Sequence, residues 1–335
     1  MSAPFSQLPR IVVLATGGTI AGSSGNPGSS AQYQAATVPV SALLQGVPTL
    51  AAVARIEAEQ VAQIDSKDLT FALWSVLSAR IAHWSAQPDV DGIVITHGTD
   101  TLEETAMFLH LTQPCAVPVV LTAAMRPSTS LSADGPLNLL DAVRVAGNAA
   151  ARGKGVLVVL NQQIHAARDV VKAHTSAVDA FVSPLTGPLG FVQDDHVRVL
   201  RQPLSGGRRL PVPHDWPPVE IVASYAQPGR GMVDALVAAG VRGIVVAAAG
   251  NGSVHEVLGA ALADAARAGV AVVRSSRTGA GHVAIPETPR ALPGAFPSAL
   301  DLNPYKARVL LMLALAADPA LGTVPARLQD VLRQY

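Results

Sequence analysis

The sequence predicts an α/β protein with two domains, a larger N-terminal one with a mostly parallel sheet and a smaller C-terminal one with a parallel sheet. Residues 11–15 and 92–96 are apolar runs rich in β-branched residues, typical of strands buried on both faces of a parallel sheet. A length of 335 residues, at roughly 150 per domain, suggests two domains. The Pro-, Gly- and Arg-rich residues 201–218 predict a linker between domains at 1–200 and 219–335.

In the N-terminal domain, apolar runs that predict strands alternate with stretches of helical period. Strands are predicted within residues 11–15, 50–64, 92–96, 118–122 and 155–160, and helices over residues 66–86, 102–109 and 137–151. Residues 162–174 alternate enough to predict a β-hairpin. Residues 20–37 are dominated by Gly, Ser, Ala and Gln, so we expect a mobile loop of the kind that often forms a lid.

The C-terminal domain shows the same alternation. Strands are predicted over residues 219–224, 243–247 and 271–275, and helices over residues 232–239, 305–317 and 325–332, with a further helix that ends at residue 268. A turn at residues 250–253 precedes that further helix. We therefore expect a second, smaller parallel sheet with helices against it.

The composition argues against several classes of function. The 24 basic and 24 acidic residues cancel, so nothing favours binding to nucleic acid or to an anionic membrane; a small neutral or zwitterionic ligand fits better. Cys115 is the only cysteine, which excludes an intrachain disulfide and a cysteine-based metal cluster.

Residues 1–10 lack the features of a secretory signal, and the apolar run 309–317 is too short to span a bilayer. We expect a cytoplasmic protein, with a periplasmic location left open.

The most informative stretch is IVVLATGGTIAG, residues 11–22. Gly17 and Gly18 break the first strand and leave the hydroxyl of Thr19 at its carboxyl end, the edge where parallel sheets bind ligands. Thr19 is therefore a candidate for the reacting atom, although a Thr that merely caps the next turn fits the same pattern. The dinucleotide and phosphate-loop motifs are excluded, because Thr19 replaces the middle glycine and no lysine follows Gly22.

A second hydroxyl follows the strand at residues 92–96. Asp100 and Thr101 each precede a glutamate by three residues, so a capping box explains one of them and leaves Thr99 unexplained. Because Thr19 and Thr99 both end parallel strands, we expect them to face one crevice. Two further residues stay open at this point. Tyr33 either moves with the loop at 20–37 or pins it to the core, and Lys172 by default is exposed surface.

Six motifs together resemble the bacterial L-asparaginases, of the type II, glutaminase-asparaginase branch. They are ATGGTIAG at 15–22, ITHGTDTLEETA at 95–106, AMRPSTSLSADGPLNL at 124–139, RDVVK at 168–172, GNGS at 250–253 and LNPYKARVLL at 302–311. The resemblance implies hydrolysis of the side-chain amide of L-Asn, and often of L-Gln, without a cofactor or metal. It also implies a homotetramer, a dimer of intimate dimers, whose sites lie at the interface within each intimate dimer.

The resemblance also implies roles for individual residues. Thr19 becomes the nucleophile and Tyr33 its activating lid residue, while Thr99, Lys172 and Asp100 form a second cluster. Ser66 and Asp100 hold the α-carboxylate and α-ammonium of the substrate. A Thr hydroxyl needs a base or a polarised partner, and neutral Lys172 acting through Thr99 is a candidate. Backbone N–H groups at Gly18, Thr19 or Thr99 are candidate donors to an oxyanion.

Three positions bear on specificity. Lys67 stands where the family usually has Gln or Glu; in the pocket it would repel an α-ammonium, so either it turns toward Asp65 or Asp68 or the substrate lacks that group. Ser253 replaces an Asn found in some members, a change that tends to accompany glutaminase activity. Glu287 is the candidate acidic contact from the neighbouring subunit. Two alternatives to an asparaginase follow, an amidase for an Asn-like compound without an α-ammonium and a non-catalytic amino-acid-binding protein.

Overall fold

The computed structural model describes residues 8–28, 32–204, 207–285 and 296–335. The chain forms two compact units, Met1–Leu204 and Ser205–Tyr335. Both are α/β, which confirms the predicted fold class. The boundary between the units falls inside the predicted linker.

The larger unit is built on an eight-stranded sheet in the order β10-β9-β6-β5-β4-β3-β1-β2. Its strands are β1 (Arg10–Gly17), β2 (Arg55–Ile64), β3 (Gly92–Thr96), β4 (Val119–Thr122), β5 (Val156–Leu160), β6 (Gln163–Ala166), β9 (Gly190–Gln193) and β10 (His196–Val199), and a separate pair is formed by β7 (Val171–Lys172) and β8 (Phe181–Val182). Strands β2, β1, β3, β4 and β5 are parallel, and the pairs from β5 to β10 are antiparallel.

The described part of the larger unit has four α-helices: α1 (Val40–Gln45), α2 (Phe71–Ser85), α3 (Leu102–Thr112) and α4 (Gly135–Ala146). Helix α4 packs against β3, β4 and β5, and α2 and α3 pack against each other. Every residue of β3, β4 and β5 is buried, as expected for parallel strands covered on both faces. The polar residues that follow such strands are therefore held on a rigid edge.

The smaller unit has a three-stranded parallel sheet in the order β11-β12-β13. Its elements are β11 (Val219–Ala223), α5 (Gly231–Ala238), β12 (Gly243–Ala248), α6 (Glu256–Arg267), β13 (Ala271–Ser276), α7 (Pro304–Ala317) and α8 (Pro325–Leu332). The predicted strands and helices of this unit match these bounds closely. Buried Val, Ile, Leu and Ala side chains from β12, α6 and β13 form its core.

Three predictions in the larger unit are wrong in detail. The single helix predicted over residues 66–86 is a 3₁₀ turn at Ser66–Asp68 followed by α2, because extended Thr70 caps a new helix and its Oγ1 accepts from the Leu73 N–H at 3.2 Å. The helix predicted over residues 137–151 ends at Ala146, and a 3₁₀ turn covers Ala149–Ala151.

The third wrong prediction is the hairpin over residues 162–174. Asn161 and Gln162 have φ of 47° and 62°, a tight turn that pairs β6 with β5 in the main sheet. Strand β7 pairs instead with β8, which lies further along the chain. The short strands from β8 to β10 carry no signal that the sequence analysis used.

Candidate active site

Three polar residues follow three neighbouring parallel strands and lie at one edge of the large sheet. Strand β1 pairs with both β2 and β3, and Thr19, Ser66 and Thr99 come within three residues of the ends of β1, β2 and β3 respectively. All three are buried, with 5%, 2% and 6% of their surface exposed. The structure therefore confirms that Thr19 and Thr99 end adjacent parallel strands at the same edge.

Two glycines allow these strand ends to touch. A Cβ on Gly18 would lie 2.3 Å from the Gly98 Cα, and a Cβ on Gly98 would lie 2.5 Å from the Ser66 Oγ. Gly18 also has φ of +80°, a conformation that L side chains rarely adopt. Because Gly18 precedes Thr19 and Gly98 precedes Thr99, this contact brings together the two segments that carry the threonines. Gly98 was not singled out from the sequence, although a glycine two residues after a buried strand was the available signal.

Thr19 has a hydroxyl partner from the following loop. Its Oγ1 lies 2.7 Å from the Tyr33 hydroxyl. The Tyr33 ring lies over Gly22, where a Cβ would approach the ring Cδ2 to 3.0 Å. The half-buried ring thus packs on the loop while its hydroxyl reaches Thr19, and movement of Tyr33 with the loop stays a prediction.

Thr99, Lys172 and Asp100 form a second cluster. Lys172 Nζ donates to Thr99 Oγ1 at 2.9 Å and to Asp100 Oδ1 at 2.6 Å. Only 18% of the Lys172 side chain is exposed, so the default expectation of a surface lysine is wrong. The Lys172 N–H donates to the buried Glu103 carboxylate at 3.2 Å, which holds β7 at this edge of the sheet. Glu103 was not singled out from the sequence.

Ser66 is tied to the chain segment that follows β3. Its Oγ accepts from the Asp100 N–H at 3.2 Å, and its carbonyl accepts from Thr101 Oγ1 at 2.8 Å. Thr101 occupies the N-cap of α3 but makes no side-chain cap, and Asp100 instead accepts from Lys172. The capping-box interpretation of these two residues is therefore wrong, because Ser66, in the turn after β2, and Lys172, in β7, use both side chains.

Lys67 points to its own turn. Its Nζ donates to Asp65 at 2.9 Å and to Asp68 at 3.0 Å, and 60% of its side chain is exposed. Hydrogen bonds from Asp65 and Asp68 raise the pKa of Lys67 above its ordinary value. Of the two alternatives for this residue, the structure has the one in which it turns toward these carboxylates.

A buried polar chain lies beneath the Gly98 turn. His97 is 1% exposed, and burial lowers its pKa from 6.5 to about 4. Its Nδ1 lies 2.7 Å from the Gly98 carbonyl, which can only accept, so Nδ1 carries the proton. Its Nε2 then accepts from the Thr105 hydroxyl at 3.0 Å, and Thr105 accepts from Trp74 Nε1 at 2.9 Å. None of these hydrogen bonds was predicted from the sequence.

One of the three candidate oxyanion donors, the Gly18 N–H, is already hydrogen-bonded within the protein. The Gly18 N–H donates to the Ile64 carbonyl at 2.9 Å, so its single hydrogen is already used within the sheet edge. The Thr19 and Thr99 N–H groups are the remaining two of the three candidates. Gly18 therefore contributes space and backbone conformation at this edge.

The remaining candidates lie elsewhere. Ser253 belongs to the smaller unit, in the turn after β12, where its N–H donates to the Ala249 carbonyl at 2.8 Å. Glu287 lies outside the described residues.

In residues 8–28, 32–204, 207–285 and 296–335, no group of three or more His, Cys, Asp or Glu is placed to hold a metal. No helix in these ranges is long and apolar enough to cross a membrane.

Comparisons with known proteins cover nearly the whole chain. Residues 10–205 match the family model "Asparaginase, N-terminal" and residues 218–326 match "Glutaminase/Asparaginase C-terminal domain". The chain is 42% identical to L-asparaginase 2 of Bacillus subtilis (strain 168), over 98% of this chain and 87% of that protein. It is also 42% identical to a glutaminase-asparaginase of Pseudomonas fluorescens biotype A, over 92% of this chain and 87% of that protein.

A solved structure agrees with these relatives. The crystal structure of a probable cytoplasmic L-asparaginase from Campylobacter jejuni superposes with a TM-score of 0.92 at 42% identity, covering 98% of this chain and 100% of that one. Both family models match in the order of the two units, and the relatives are similar over almost their full length. The chain belongs to the asparaginase family.

Proposed function

We propose that this protein is an L-asparaginase that hydrolyses the side-chain amide of L-Asn to L-aspartate and ammonia, with L-Gln as a secondary substrate. The observation that carries the proposal is the pairing of each strand-end threonine with its own polar partner. Thr19 meets the Tyr33 hydroxyl, and Thr99 meets Lys172 and Asp100. A binding protein needs no activated hydroxyl, so this pairing favours an enzyme over a non-catalytic amino-acid-binding protein.

Thr19 is the proposed nucleophile. Its Oγ1 attacks the amide carbon, and its proton passes through the Tyr33 hydroxyl, 2.7 Å away, to the leaving nitrogen. The C–N bond breaks and ammonia leaves, which makes an ester on Thr19. Water then attacks the ester carbon, the C–O bond to Thr19 breaks, and one proton of the water returns to Oγ1.

The second cluster acts in the second step, the hydrolysis of the ester. Thr99, held by Lys172 Nζ at 2.9 Å, lies next to Thr19 through the Gly18–Gly98 contact and orients the attacking water. The negative charge on the substrate oxygen is stabilised by the Thr19 and Thr99 N–H groups. Such donors are worth roughly 3 kcal/mol each in other hydrolases.

Ser66 and Asp100 are the proposed contacts of the α-carboxylate and α-ammonium. Ser66 is buried beside the reacting edge, and 56% of the Asp100 side chain is exposed, so one Asp100 oxygen can accept from an ammonium while the other accepts from Lys172. Because Lys67 is paired with Asp65 and Asp68, it does not itself bring a repelling cation to the α-ammonium. This pairing weakens the case for a substrate that lacks the α-ammonium.

The oligomer is proposed from family membership. We propose a homotetramer, a dimer of intimate dimers, in which Ser253 and Glu287 of one subunit complete the site of its neighbour. Several relatives carry the name glutaminase-asparaginase, which accords with the expected L-Gln activity. The names of the relatives differ in compartment: the Campylobacter jejuni protein is called cytoplasmic and one from Haemophilus influenzae periplasmic. The cytoplasmic location stays a prediction.

Ammonia release by the purified protein tests the function. L-Asn, L-Gln and succinamate, the L-Asn analogue without an amino group, are assayed in parallel. We expect L-Asn to give the highest kcat/KM, L-Gln a lower one, and succinamate the lowest, since succinamate cannot engage Asp100. Preference for succinamate would overturn the substrate assignment, and absence of ammonia from all three would overturn the proposed activity.

A further inference from the structure

A loop that plays no part in the reaction scheme grips the segment that carries Tyr33. Residues 125–134 follow β4, and two of them contact the segment 22–24. Ser128 donates to the Gly22 carbonyl twice, from Oγ at 2.7 Å and from N–H at 3.0 Å. Thr129 Oγ1 accepts from the Ser24 N–H at 2.9 Å and donates to the Ser24 carbonyl at 3.2 Å. We call Ser128 and Thr129 the latch.

The segment gripped by the latch is joined directly to Tyr33. Ser23 and Gln34 exchange two backbone hydrogen bonds, each of 2.9 Å, and Ser24 Oγ donates to the Gln32 carbonyl at 2.7 Å. The residues on both sides of Tyr33 are thus fastened to the segment 22–24, and Gly22 lies under the ring itself. A shift of this segment would move the Tyr33 hydroxyl away from Thr19.

The loop that carries the latch is itself fixed to the core. The Asp134 carboxylate accepts from the Met125 N–H at 2.9 Å and from the Arg126 N–H at 3.0 Å. Buried Asn138 donates to the same carboxylate at 3.1 Å and to the Ala123 carbonyl at 3.0 Å. The loop that carries the latch is therefore anchored to β4 and α4. The latch can thus hold the more exposed segment 22–24 in a fixed position.

We propose that Ser128 and Thr129 are positioning residues that hold the Tyr33 hydroxyl on Thr19. They act through the segment 22–24 and touch neither reacting atom. The kinetic effect expected from the latch rests on the proposed function, because the latch changes the rate only through Tyr33. A proton relay over 2.7 Å is sensitive to small displacements, so loss of the latch lowers the rate of the chemical step and leaves substrate binding at Ser66 and Asp100 unchanged.

The kinetic test removes the two latch hydroxyls and otherwise keeps the side chains at positions 128 and 129 close to their native size. The double variant Ser128→Ala with Thr129→Val is expected to lower kcat for L-Asn about tenfold, as for three lost hydrogen bonds that partly compete with water, while KM stays within about twofold. The conservative pair Ser128→Thr with Thr129→Ser keeps both hydroxyls and should restore most of kcat. Ser132→Ala, in the same loop and bonded to Arg126, is the control and should behave as wild type.

A double-mutant cycle with Tyr33→Phe shows whether the latch acts through the Tyr33 hydroxyl. In that background the hydroxyl is absent, so the latch substitutions should cause no further loss of kcat. An equal further loss, or an unchanged kcat when the latch is removed from the wild type, would overturn the proposal. Unchanged kcat with a raised KM would also overturn it.

A spectroscopic measurement keeps the proposal testable if the proposed function fails. The chain has four tyrosines, so fluorotyrosine labelling gives few fluorine signals, and Tyr33→Phe identifies the one from Tyr33. Removal of the latch should shift or broaden that signal, with the signals of Tyr225, Tyr305 and Tyr335 unchanged. A Tyr33 signal that does not respond would overturn the positioning role, whether or not the protein releases ammonia from L-Asn.

Discussion

Replacement of His97 by glutamine should change how the stability of the protein depends on pH. Burial lowers the His97 pKa from 6.5 to about 4, so the imidazole stays neutral in the folded protein through most of the acidic range. The unfolded chain, however, binds a proton below about pH 6.5. As pH falls from 6.5 to 4, the unfolded state gains a proton that the folded state does not, and the free energy of unfolding decreases.

The size of the effect follows from the pKa difference. A decrease from 6.5 to about 4 corresponds to roughly 3 kcal/mol, lost between these two pH values. At pH 7 His97→Gln should be less stable than wild type, because Gln cannot reproduce the bonds to both Gly98 and Thr105. On going to pH 4 this stability difference should shrink by roughly 3 kcal/mol, since only the wild type carries the buried imidazole.

Urea unfolding followed by tryptophan fluorescence, at several pH values between 7 and 4, measures this difference. Thr105→Val is the matched control: it removes the hydroxyl partner of His97 but keeps the buried imidazole, so its stability should fall with pH in parallel with wild type. A wild-type minus His97→Gln difference that stays constant from pH 7 to pH 4 would refute the assignment of a buried neutral His97.

Three further predictions concern the site itself. Lys67→Gln should leave KM for L-Asn within about twofold, because an exposed ion pair contributes little; a tenfold change in steady-state KM would contradict the outward orientation of Lys67. Lys172→Met should lower kcat at least about a hundredfold, because Thr99 loses the group that holds it in position, whereas Lys154→Met, at a partly exposed lysine far along the chain from these residues, should match wild type in the same ammonia assay. Gly98→Ala should lower the melting temperature in a thermal scan, because its Cβ would meet the Ser66 Oγ at 2.5 Å, and an unchanged melting temperature would argue against the close contact.

The strand-end hydroxyls were predictable from the sequence because their signal is local. Thr19 and Thr99 each follow a short apolar run and a glycine, and the carboxyl edge of a parallel sheet is where such residues gather. The two-domain α/β class followed from the same apolar runs. These parts of the structure depend on residues that are close together in the chain.

The partners of the two threonines could not be found in this way. Lys172 reaches Thr99 because β7 pairs with β8 and because the Lys172 N–H is held by Glu103. The Lys172–Glu103 contact joins residues 69 positions apart and leaves no local pattern. The wrong capping-box interpretation has the same cause, since Ser66 and Lys172 use Thr101 and Asp100. The resemblance to asparaginases supplied Tyr33 and Lys172, and the residues alone did not.

The role of Thr19 as nucleophile is the central claim, and one assay tests it most directly. Ammonia release from L-Asn is measured for wild type and for Thr19→Ala, with far-ultraviolet circular dichroism to verify that the variant is folded. We expect steady release by the wild type and a loss of kcat of at least about a thousandfold in the variant, as for removal of a covalent nucleophile. Full activity in folded Thr19→Ala would contradict the account.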